Sequence, residues 1–295
     1  MNRGVLYAAS AFVIWGVFPL YFRQLASVSP LEVVLQRSVW SMVFLAGVLA
    51  VMRHGAWLRE IARAPRQLAT YALSGALVAG NWLIYIWAVN SGQVLESSLG
   101  YFINPLFNVV LGVMVLGERL RRPQWVAVAL AAAGVAWLAW TMGRPPWIAL
   151  ALAGTFGLYG LVRKTARLGA LEGLACETAL LSLVAGPALL WWTFAHDGAL
   201  LRGDAGLTAW VLLLGPATAV PLLLFTAGAR RLSLSTVGLL QYIGPTLQFG
   251  IGLWVFGEPF DAARLAGFVA IWGALAVYSL DALRGRAAVS TPSPA

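Results

Sequence analysis

The sequence predicts an all-α polytopic membrane protein of ten transmembrane helices, built as two inverted five-helix repeats. Three observations predict it: the composition, the number and length of the apolar runs, and a match between the two halves of the chain. Of 295 residues, 60% are hydrophobic and 11% are charged. A soluble domain carries about 25% charged residues, so water is the wrong solvent for most of this surface and lipid is the right one.

Runs near the ~20 residues that cross a ~30 Å hydrocarbon core fall at 4–22, 33–52, 71–89, 99–117 and 125–142. A second set falls at 147–162, 174–195, 207–228, 234–257 and 265–283. The sixth run is short. The longest connection, 53–70, is too small for a soluble domain. Only Arg3 precedes the first run, which extends to Phe22 and exceeds the apolar core of a signal peptide; no cleaved leader is expected.

Basic residues orient the runs, because loops on the cytoplasmic side collect Arg and Lys. With the N-terminus inside, the inner connections hold Arg3; Arg53, Arg59, Arg63 and Arg66; Arg119, Arg121 and Arg122; Arg163, Lys164 and Arg167; Arg230 and Arg231; Arg284 and Arg286. That is 15 of the 20 basic residues. Arg23, Arg37, Arg144, Arg202 and Arg264 remain, and no outer connection holds a cluster. Both termini are therefore expected in the cytoplasm. The net charge of +9 is spread over these connections and marks topology; no nucleic-acid partner is expected. Lys164 is the single lysine, a bias that points to a GC-rich bacterial genome and so to an inner membrane.

A shift of 140 residues lays one half on the other. Leu31-Glu32 falls on Leu171-Glu172, Ile103 and Pro105 on Ile243 and Pro245, and Gly112, Val115, Gly117 and Glu118 on Gly252, Val255, Gly257 and Glu258. The repeats are expected over 1–142 and 143–284, with a short disordered tail at 285–295. Five spans per repeat is an odd number, so the second copy enters the membrane from the opposite side. Inverted repeats are the architecture of secondary transporters, whose binding sites lie near the midplane between the copies.

The segments WGVFPLYF (15–22), LEVVLQRSVW (31–40), NWLIYIWAVNSG (81–92), SSLGYFINPL (97–106), GLYGLVRK (157–164) and LLQYIGPTLQF (239–249) resemble RarD-type permeases. These belong to the EamA group of the drug/metabolite transporter superfamily. The resemblance runs nearly end to end. It implies a ten-helix bundle with both termini inside and a central pathway for a small solute, such as an amino acid or a drug-like compound.

Ionisable side chains inside spans are costly and usually line a cavity or pathway. Arg37 and Glu177 are the two that lie well inside, and the 140-residue shift relates them. Arg37 sits about six residues into its span, ~9 Å at 1.5 Å per residue, and Glu177 at similar depth from the other face. Their axial separation of ~12 Å across a ~30 Å core rules out a simple ion pair. Arg37 is expected to hold an anionic group of the solute; Glu177 is expected to hold a cationic group or to carry a coupling proton.

Tyr101, Asn104 and Asn108 share one helix face, and the shifted positions Gln241, Gly244 and Gln248 share another. Each stripe brackets a proline, Pro105 or Pro245, expected to act as a hinge by removing one helical hydrogen bond. Tyr242 stands beside Gln241. Asn81 and Tyr85 share a face with Trp82 next to them, and Tyr159 lies one turn before Arg163. Together with Trp15 and Trp40, these residues make up the expected pathway. Arg163 and Lys164 are read as topology charges at a run end.

Enzymatic chemistry has little to work with. His54 and His196 fall on opposite sides, no carboxylates pair within a span, and there is no GxxxxGK[ST] segment. No metal and no cofactor are expected. A flippase of a lipid-linked solute is the alternative carrier, and an intramembrane lipid-modifying enzyme a more distant one. The lone Cys176 excludes an internal disulfide, and a monomer meets every requirement above.

Overall fold

A computed structural model describes residues 3–53, 55–90, 94–141, 145–255 and 262–287. Every regular element among them is a helix: α1 (Arg3–Gly16), α2 (Phe18–Arg23), α3 (Pro30–Val51), α4 (Ala56–Ala62), α5 (Pro65–Asn90), α6 (Val94–Met114), α7 (Arg122–Thr141), α8 (Trp147–Thr165), α9 (Ala170–Ala195), α10 (Ala205–Ala229), α11 (Leu234–Gln241), α12 (Ile243–Trp254) and α13 (Ala262–Ala287). A single 3-10 turn, Ala199–Leu201, precedes α10. Among the described residues, six helical segments are long and apolar enough to cross a membrane: Arg3–Arg23, Pro30–Val51, Pro65–Tyr85, Arg122–Trp140, Ala170–Ala195 and Ala205–Ala229. Shorter apolar helices at Leu99–Met114 and Leu265–Tyr278 accompany them. Glu258, Gly257, Arg144, His54 and the end of the expected tail, 288–295, lie outside the described residues.

Local chemistry sets the helix ends. Pro30 opens α3 at a position where its missing N–H is no loss. Asp204 caps α10 by accepting from the Leu207 N–H at 3.0 Å, and the Ser233 Oγ caps α11 by accepting from the Thr236 N–H at 3.1 Å. The prolines act unequally. The chain breaks at Val17, two residues before Pro19, and at Tyr242, three residues before Pro245; α6 runs unbroken through Pro105.

Contacts between helix ends sort them onto two faces. On one, the Glu32 carboxylate at the start of α3 accepts from the Ala199 N–H at 2.8 Å, and Arg202 donates to the Ser27 carbonyl at 2.9 Å. On the other, Arg121, just before α7, meets Asp281 near the end of α13 at 2.9 Å. Phe12, Tyr159 and Phe225 centre the main core where α1, α8 and α10 meet. Val135, Ile271 and Tyr242 belong to a second cluster that joins α6, α7, α11 and α13. Leu183, Val184, Trp191 and Phe194 on α9 face outward, as side chains in contact with lipid tails do.

Candidate functional site

A cavity of about 520 Å³ lies between α1–α2, α3, α5, α6, α8 and α11–α12 and reaches the α2–α3 connection. Its size falls within the ~300–1,000 Å³ of small-ligand pockets. Aromatic rings make up much of the wall: Phe12, Trp15, Phe18, Phe22, Trp82 and Phe156. Arg37, Asn81, Tyr85, Tyr101, Asn104, Gln241, Pro245 and Gln248 also line it. Spans far apart in sequence thus converge here, and the polar stripes of both halves meet on one space.

Most of these polar groups are held in place by neighbouring side chains or carbonyls. The Arg37 Nε donates to the Thr218 Oγ1 at 3.3 Å, and its guanidinium lies 3.9 Å from the centre of the Trp82 ring, within cation–π range. The Asn81 amide donates to the Leu152 carbonyl and to the Thr155 hydroxyl, each at 2.9 Å. The rings of Tyr85 and Tyr101 meet edge to face at 6.0 Å. Gln248 donates to the Trp15 carbonyl at 3.1 Å. Asn108 donates to the Gln241 side chain at 3.0 Å, tying α6 to α11. Asn104 is buried, and among the described residues its Oδ1 has no hydrogen-bond partner.

The profile of the EamA-like transporter family matches residues 2–140. An uncharacterized transporter of Pseudomonas aeruginosa is 48% identical over 287 residues, covering 96% of this chain and 95% of that protein. Protein RarD of Escherichia coli K12 is 44% identical over 284 residues, covering 96% and 95%. This chain belongs to the EamA-like transporter family, in its RarD branch. As a RarD-type protein it is a multi-pass membrane protein of a transporter family. A crystal structure 17% identical in sequence matches it with a TM-score of 0.72 over 95% of this chain and 98% of the other, so the two share a fold.

A second polar cluster of this RarD-type chain lies off the cavity, toward the opposite face. Glu177 and Arg163 are both 1% exposed, with Oε2 3.9 Å from Nε. The Ser74 hydroxyl donates to Glu177 at 2.6 Å, and the Arg163 Nη2 donates to the Ala170 carbonyl at 3.1 Å. The Tyr159 ring stacks on Phe225 at 6.3 Å. The Tyr159 hydroxyl and the Thr226 Oγ1 are buried in the same cluster. Arg163 is therefore no run-end charge turned to water; its side chain folds back among α5, α8 and α9. Lys164 does lie at the face, where it donates to the Ala229 carbonyl at 2.8 Å and to that of Leu232. Arg230 answers it with donations to the Ala166 and Leu168 carbonyls at 2.6 and 3.0 Å. Beside this clamp, a shallower space of about 610 Å³ is lined by Arg66 and Gln67 at the start of α5, Thr165 at the end of α8 and Arg167 in the α8–α9 connection.

Several expected pathway residues stand apart from the cavity. Trp40 donates to the Gln36 side chain at 2.8 Å, and its backbone carbonyl packs on Gly215. The Tyr242 hydroxyl donates to the Phe102 carbonyl at 3.2 Å inside the second core cluster. Pro105 packs its carbonyl on Gly238, and Tyr159 and Glu177 sit in the cluster just described. Ser74 is outside the expected set, and so is Tyr71, whose ring centre lies 5.7 Å from the Arg163 guanidinium. Glu177 was the available signal, since a carboxylate inside a span requires partners on its neighbours.

Proposed function

We propose that this RarD-type protein is a secondary active carrier that moves a small solute across the bacterial inner membrane by alternating access. The carrying observation is the asymmetry of the bundle: a polar, aromatic cavity reaches one face, while the opposite face is closed by the Lys164–Arg230 clamp over the buried Arg163–Glu177 cluster. Ten crossings follow if α1–α2 and α11–α12 each count as one broken span and α4 lies along the surface. Helices related by the 140-residue shift pack on each other, α3 on α9, α6 on α11 and α7 on α13, which supports two inverted repeats over 1–142 and 143–284. Basic residues gather at the closed face, which supports a cytoplasmic position for that face and for both termini.

In this reading Arg37 holds the solute in the cavity. Breaking and remaking the Glu177 contacts opens and closes the inner half, and Glu177 is the group placed to carry a coupling proton. A monomer contains the whole cavity. Uptake and efflux of a solute panel in proteoliposomes test the proposal. Movement abolished in Arg37→Ala and strongly slowed in Glu177→Gln is the expected result. Full transport in both variants, or a single-channel conductance, would overturn it. A lipid-linked solute is the alternative substrate, and scrambling of labelled lipid in the same vesicles would favour it.

A further inference from the structure

We infer that the solute taken by this cavity is an organic monoanion: a carboxylate on a planar, apolar body. The inference rests on the transport reading for its biological meaning but not for its test. Among the described residues that line the cavity, Arg37 is the one with a formal charge, and no Asp, Glu, Lys or His joins it. A monoanion brings the site to neutrality. A zwitterion leaves it at one positive charge, and a cation raises it to two, in surroundings where unbalanced charge is costly.

The geometry of Arg37 points the same way. Its Nε is engaged by Thr218 and its face by Trp82. Among the described residues no protein group hydrogen-bonds to its two Nη atoms. A stacked guanidinium with both terminal nitrogens available is a fixed fork, the arrangement that binds a carboxylate through two parallel hydrogen bonds. Trp15, Phe18, Phe22 and Phe156 present rings to the cavity, and of the amides that line it beside them, those of Asn81, Gln241 and Gln248 already hydrogen-bond to protein groups. Such a wall rewards a flat apolar body over a sugar or a polyol, whose hydroxyls would lose their water there.

Four compounds with one shared body separate the possibilities: 3-phenylpropionate, its neutral amide, phenylalanine and 3-phenylpropylamine. Calorimetric titration of the purified full chain in lipid nanodiscs at neutral pH measures binding without transport. The propionate is expected to bind at least ~10-fold more tightly than the amide or phenylalanine, and the amine not to saturate. Arg37→Ala is expected to lower propionate affinity at least ~10-fold, and Arg37→Lys to restore only part of it, because a lysine offers a point charge instead of a fork. Equal affinity for amide and propionate, tighter binding of the zwitterion or the amine, no propionate binding, or an unchanged Arg37→Ala would overturn the inference. The four-compound comparison on the wild type decides even if the variants fail to fold. Binding without movement across vesicles would count against the transport reading alone. Transport that prefers the amine would count against this inference alone.

Discussion

Arg163 and Glu177 set the sharpest expectation for single side chains. Removing one member of a buried ion pair leaves the other uncompensated, at a cost of about 3–5 kcal/mol. Arg163→Ala is therefore expected to lower stability by that order, and Glu177→Gln by less, since an amide still accepts from Ser74 at the same place. Combining Arg163→Met with Glu177→Gln is expected to recover part of the Arg163 loss, read as the unfolding midpoint in detergent; strictly additive losses would contradict the pairing. Arg37 was legible in the sequence because an arginine six residues into an apolar run has few other uses. Arg163 was not. It ends a run in a basic cluster, and position alone does not tell a side chain that reaches for water from one folded inward. Trp40 and Tyr242 failed to reach the cavity for a related reason: each has a local acceptor, Gln36 or the Phe102 carbonyl, that turns it into the protein.

Helix ends and crossings make their own demands. Glu118 follows α6 but serves α11: its carboxylate accepts from the Leu234 and Ser235 N–H groups at 2.5 and 3.0 Å and from the Ser235 hydroxyl at 2.7 Å. A carboxylate there also meets the positive end of the helix. Glu118→Ala is expected to cost about 1–3 kcal/mol and Glu118→Gln less; an unchanged unfolding midpoint for Glu118→Ala would deny the cap. Where α10 crosses α3, a Cβ on Gly215 would lie 2.4 Å from the Trp40 carbonyl oxygen. Gly215→Val is expected to force the helices apart at about 1–3 kcal/mol, and a wild-type midpoint would show the crossing to be looser than drawn. The helices themselves were legible from run length and flanking charge. Their interruptions were not. Pro19 and Pro245 follow breaks and Pro105 does not, because loss of one hydrogen bond permits a break but neighbouring packing decides it. Around Pro105 the close approach of Gly238 holds α6 against α11.

At the scale of the whole molecule, the halves differ in what they leave open. Arg37 and Glu177 occupy matching positions in sequence, yet one faces a cavity and the other a closed cluster. A repeat in sequence tells which positions correspond; it does not tell which half is open, since that depends on contacts such as the Lys164–Arg230 clamp made between connections. The central claim is that the open cavity and the closed cluster exchange accessibility. Cys176 is the one cysteine in the chain, so a Cys176→Ser background allows single reporters to be placed. The deciding measurement is labelling of Tyr101→Cys and Thr226→Cys by a membrane-impermeant maleimide, in right-side-out and inside-out vesicles, with and without 3-phenylpropionate. The account predicts that Tyr101→Cys reacts from the outer side and loses reactivity with solute, while Thr226→Cys gains reactivity from the inner side. Reactivities that stay fixed, or that rise and fall together at both positions, would contradict it.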